Sequence, residues 1–107
     1  MPSYETAGFH AQQASEKALK ALLAQHQREI PGTHDIGELL HLADEVAPGI
    51  AAALSDAEVL STRAVTGRYP TAAPPMPRDV AAQDLDRAAR VVDYVRRVLG
   101  RDTGAEA

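Results

Sequence analysis

Small and apolar residues recur along this chain at steps of three and four, the period of one face of an α-helix. Ala7, Ala11, Ala14, Ala18 and Ala21 form the first such stripe, and Leu19, Leu22 and Leu23 widen it. The spacing predicts a helix from about Tyr4 to Arg28, with Ser3 as N-cap. Ile30-Pro31-Gly32 breaks it. Ile36, Leu39, Leu40, Ala43 and Ala47 make the second stripe, a helix from about Asp35 to Ala47 that Thr33 or Asp35 can cap. Pro48 and Gly49 punctuate the chain. Ser55-Asp56-Ala57-Glu58 has the form of a capping box and opens a third helix, from about Asp56 to Thr66, after a short turn at Ile50–Leu54. GRYPTAAPPMP carries four prolines and reads as extended or irregular. Ala81, Leu85, Ala88, Val92, Val95 and Leu99 then predict a last helix from about Arg78 to Leu99, with Gly100 as its C-cap. No stretch alternates as a strand does, and no repeat is visible. The expected fold is an all-α antiparallel up-and-down helical bundle of about four helices, one domain over residues 1–100, followed by a flexible tail at 101–107.

Composition supports a globular helical chain: 45% hydrophobic and 24% charged residues, few aromatics and much alanine, which loses no side-chain entropy in a helix. There is no cysteine, so thiolate metal sites, disulfides and cysteine nucleophiles are excluded. The opening MPSYETAG has no basic segment followed by an apolar run, and no run approaches the ~20 apolar residues of a membrane span. We therefore expect a cytoplasmic protein with no membrane association. The net charge of −4 argues against general nucleic-acid affinity. Its distribution says more: Glu29 to Glu58 holds seven acidic residues and no Lys or Arg, whereas Arg63 to Arg101 holds eight arginines against four aspartates. That is either ordinary local bias or an anion-binding face on the C-terminal half.

Three constellations carry candidate chemistry. His10, Gln13, Lys17 and Lys20 share one flank of the first helix, with Glu16 four residues before Lys20 in the favourable ion-pair orientation. This strip is a solvated face or a phosphate-binding surface. His34, Glu38, His41 and Glu45 share a face of the second helix, which is a solvated acidic face or a set of metal ligands; no recognised metal spacing is present, so no metal is expected. Arg63 and Arg68-Tyr69-Pro70 precede the last helix. Arginine can grip phosphate with a bidentate fork and tyrosine can stack on a base, or the arginines simply complement a helix C-terminus. There is no nucleophile elbow, Gly-rich phosphate loop or dinucleotide fingerprint.

In order and spacing, YETAGFHAQQASEKALKALL, then THDI, then TGRYP before a final helix resembles the HEPN domain of prokaryotes, over about residues 4–99. AQQASEKALKALL at 11–23 is the most specific piece. The resemblance implies a small helical bundle that forms homodimers and is often encoded beside a minimal nucleotidyltransferase, in pairs like toxin–antitoxin systems. Some such domains are metal-independent endoribonucleases without a cofactor; others bind nucleotides or act as scaffolds. The nuclease motif of the family is an arginine, four to six residues and a histidine, just before the last helix. Arg68 stands at that place, but the histidine positions are Ala73, Pro74 and Pro75, and none transfers a proton. All four histidines lie upstream. Arg28 and His34, within REIPGTH, match the pattern between the wrong helices, which makes His34 a loop-ordering or capping residue. The family also has a helix before the equivalent of Tyr4, where this chain has only MPS. The apolar surface so exposed predicts self-association.

The expected function is thus a catalytically inactive nucleotide- or RNA-binding component or scaffold, paired with a nucleotidyltransferase. Gln13, Lys17, Lys20, Arg63, Arg68 and Tyr69 are the expected phosphate-binding residues, and no catalytic residue is expected. One alternative is an endoribonuclease toxin, in which His34 or another histidine reaches Arg68 across the bundle or the dimer. The other is a pure protein-interaction module whose arginines meet acidic partner surfaces.

Overall fold

The computed structural model describes residues 4–61 and 78–103. The chain is an all-α helical bundle, and no strand occurs among the described residues. Helix α1 spans Tyr4–Gln25, α2 Ile36–Asp44 and α3 Ile50–Ala53; a 3₁₀ helix covers Ser55–Leu60, and α4 spans Arg78–Thr103. The long helices α1 and α4 form the largest internal interface; α2 packs on α1, the 3₁₀ helix touches α1, α2 and α4, and α3 packs on α2. Leu19, Leu22 and Leu23 of α1, Ile36, Leu39 and Leu40 of α2, and Ile50, Leu60, Val91 and Val95 fill the core. Each fully buried aliphatic side chain of this size contributes about 1.5–3 kcal/mol.

The faces differ from the simplest reading of the periodicity. In α1 the buried side is Gly8, Ala11, Gln12, Ser15, Glu16, Leu19, Leu22 and Leu23, while Ala14 and Ala21 are exposed. The three leucines set the rotation, because exposing a leucine forfeits far more burial than exposing an alanine. That rotation draws Gln12, Ser15 and Glu16 into the interior, where each makes a hydrogen bond. In α4 the buried stripe is Ala81, Asp84, Ala88, Val91, Val95 and Val98. Leu85 is 50% exposed, and Val92 and Leu99 are only half-buried. The doublets Val91-Val92 and Val98-Leu99 allow two neighbouring stripes, and the core takes the one through Val91 and Val98.

Helix ends also shift. α1 stops at Gln25, short of Arg28, because Gln27 turns left-handed (φ 57°) and the Arg28 N–H returns to the Leu23 carbonyl at 2.9 Å. Asp35 caps α2: its Oδ1 accepts from the N–H groups of Gly37 (2.9 Å) and Glu38 (3.3 Å). Ser61, one residue beyond the 3₁₀ helix, accepts from the Ile36 N–H at 2.7 Å. Asp44 Oδ1 accepts from Gly49 and Ala51, and Gly49 holds φ 99°, a conformation that suits glycine. Ser55 is the first 3₁₀ residue, and no side chain caps that helix, so the capping box does not form. The expected end of this segment at Thr66 lies outside the described residues. α4 runs through Gly100 to Thr103, since glycine permits a left-handed stop without compelling one.

Between α1 and α2 the chain doubles back. His34 lies against Gln12 and Glu16 in the middle of α1, whereas Glu45, just past α2, meets Arg28 beyond the end of α1. This return path brings a loop histidine to a buried carboxylate.

Candidate functional site

Glu16 is the centre of the best-defined polar cluster. It is 8% exposed. Its Oε1 accepts from Gln12 Nε2 at 2.9 Å and from His34 Nδ1 at 2.9 Å, and its Oε2 accepts from Lys20 Nζ at 2.9 Å. Gln12 Nε2 also donates to the His34 carbonyl at 3.2 Å, and Gln13 Nε2 donates to Gln12 Oε1 at 3.0 Å. Burial pushes the Glu16 carboxyl up, but the bonds from Lys20, His34 and Gln12 outweigh it and hold the group below its ordinary value. The carboxylate is therefore ionised at neutral pH. Facing it, His34 Nδ1 donates to the carboxylate, and Nε2 is the ring nitrogen left free of that bond. The ring is 65% exposed.

The predicted strip divides accordingly. Lys20 is bound to Glu16 and Gln13 to Gln12, while His10 and Lys17 are exposed. Among the described residues Lys17 has no ion pair. Arg63, Arg68 and Tyr69 lie outside the described residues. The two ends of REIPGTH are fastened to different elements: Arg28 to Glu45 at 3.6 Å and His34 to Glu16. On α2, Glu38 and His41 are exposed, and no three His, Asp or Glu side chains converge as metal ligands among the described residues.

A second cluster was not anticipated. Asp84 is fully buried in α4 and accepts from Arg87 Nη1 at 3.0 Å. Asp56 of the 3₁₀ helix lies 3.8 Å from Arg87 Nε and 2.6 Å from Arg90 Nη2, and Asp86 lies 3.2 Å from Arg90 Nε. The bond to Asp56 raises the pKa of Arg90 further. Here an acid of the acidic middle segment neutralises arginines of the basic end within one chain. The signal for both clusters was positional: Gln12, Ser15 and Glu16 share the side of Leu19 and Leu23, and Asp84 shares the side of Ala88 and Val91.

No helix among the described residues is long and apolar enough to cross a membrane. A family model described as the HEPN domain matches residues 1–101. Neither the curated proteins nor the solved structures contain a match.

Proposed function

Since the chain belongs to the HEPN domain family, we propose that it is a non-catalytic member that binds the phosphates of a nucleotide or of RNA, as a homodimer working with a minimal nucleotidyltransferase. The observation that carries this reading is the absence of any proton-transferring side chain at Ala73, Pro74 and Pro75, where a nuclease of the family needs its histidine after Arg68. What remains is a cationic binding set. Lys17 stands exposed on α1. Arg63, Arg68 and Tyr69 precede α4 in sequence and complete the set, with forks for phosphate and a ring for a base. Gln13 and Lys20 border it. Their bonds to Gln12 and Glu16 make them its rigid edge.

Isothermal titration with ATP and with a short single-stranded RNA tests the proposal. Weak, salt-sensitive binding that Arg68→Ala abolishes is the expected result. Absence of heat at millimolar ligand ends it.

A second reading has one observation in its favour. His34 is an exposed imidazole oriented by a buried carboxylate, the arrangement of a general base. An endoribonuclease would use His34 with Arg68. RNA cleavage by the wild type that is lost in His34→Ala would select this reading over the first.

A further inference from the structure

The apolar surface of α4 is wider than the core covers. Leu85 and Val92, seven residues apart, lie beside the buried stripe and keep solvent exposure. With Ala88, Ala89 and Ala14 of α1 they line an open groove of about 580 Å³, and Arg96 stands on its wall. Ala14 is exposed, and Lys17 projects from the same side of α1, one turn further on. The charges at the rim are unequal. Asp93, the acid of the lining, is bound to Arg97, and Arg90 is bound to Asp56 and Asp86. Among the described residues neither Arg96 nor Lys17 has an acidic partner. The α4 wall thus carries an uncompensated cation, Arg96, and a second one, Lys17, stands on α1 one turn beyond the Ala14 of the other wall.

We propose that this groove docks an acidic amphipathic helix of a partner protein. Leu85 and Val92 are separated by about two helical turns, roughly 10.5 Å, which matches the i, i+7 anchors of a helix lying in a groove. The alanine floor leaves room for larger apolar residues of the incoming helix. Carboxylates flanking that apolar seam meet Arg96 on one side and Lys17 on the other. A second copy of this chain fits poorly, because its own Arg96 and Lys17 approach walls that are already positive. A nucleic-acid strand fits poorly as well, because no aromatic side chain among the described residues lines the groove to stack on bases.

Fluorescence anisotropy on the full chain tests this with three labelled probes. One is a synthetic helix with leucines at i, i+4, i+7 and i+11 flanked by glutamates; the second replaces every glutamate with lysine; the third is oligouridylate. The acidic helix should bind at least about tenfold more tightly than the lysine version, the equivalent of ~1.4 kcal/mol. Arg96→Glu should reverse that preference. Leu85→Asp should abolish binding while keeping a cooperative thermal melt shifted by only a few degrees, because the side chain is half exposed. Equal binding of the two helices overturns the proposal, as does no binding of either at millimolar concentration. Oligouridylate binding with the same dependence on Leu85 and Arg96 overturns it in favour of nucleic acid. A dimer in sedimentation that Leu85→Asp dissolves overturns it in favour of a second copy. Lys17 is shared with the phosphate-binding reading, whereas Leu85 and Arg96 are not among its residues, so the Leu85 and Arg96 variants let either reading fail alone.

Discussion

A buried carboxylate persists in a helical core only where donors surround it, and Glu16 has Lys20, His34 and Gln12. Glu16→Gln keeps the shape of the side chain but removes the charge those donors face, and it turns an amide towards one of them. We expect a loss of about 1–3 kcal/mol in urea unfolding at neutral pH. The pH dependence has a definite sign. The folded pKa of Glu16 lies below its ordinary value of 4.5, so its contribution is complete above pH 4.5 and is lost as pH falls through the folded value. Wild type and Glu16→Gln should therefore converge on acidification. A gap that stays constant down to pH ~3 contradicts this account. Arg28 gives the contrast. Its pair with Glu45 is about half exposed on both sides, so Arg28→Ala should change stability by less than ~1 kcal/mol.

At the scale of elements, helix beginnings were more legible than helix faces. Asp35 stands immediately before the Ile36 stripe and does cap α2, in partnership with Ser61, which lies 26 residues later. Asp35→Ala should cost about 0.5–2 kcal/mol, read as a lower urea midpoint. The end of α1 was not legible, because a glutamine takes the left-handed position that usually goes to glycine. The faces were misread wherever alanine and a larger residue competed, since periodicity counts positions and packing weighs area. α4 offers a direct test of that distinction. Val91 is fully buried and Leu85 half exposed, although both belong to apolar stripes. Val91→Ala should destabilise by about 1–2 kcal/mol, and Leu85→Ala by a few tenths, despite removing the larger side chain. Equal losses would mean that Leu85 belongs to the core. The Glu16–Lys20 pair was legible because its spacing is local, whereas the contact with His34 depends on the return path of the α1–α2 loop, which no local pattern encodes.

For the whole molecule, segmental charge overstated the free cations. The basic end meets the acidic middle at Asp56, and Arg87, Arg90 and Arg97 are all paired with aspartates. A chain of net charge −4 attracts a polyanion only through a small local set of cations, against its own long-range field. Binding of RNA should therefore be weak and steeply dependent on salt, with a slope set by the few phosphates actually contacted. If Lys17 and Arg68 each hold one phosphate, Lys17→Ala and Arg68→Ala should each lower the slope of log K against log salt by about one, and the double variant by about two. Arg97→Ala serves as the control, because its guanidinium is already bound to Asp93. Removing it leaves Asp93 unpaired and weakens binding slightly without altering the slope. A slope that Arg97→Ala lowers as much as Lys17→Ala would mean that RNA sees the overall field of the molecule and not a site, and the phosphate-binding assignment would then fail while the fold and the family stand.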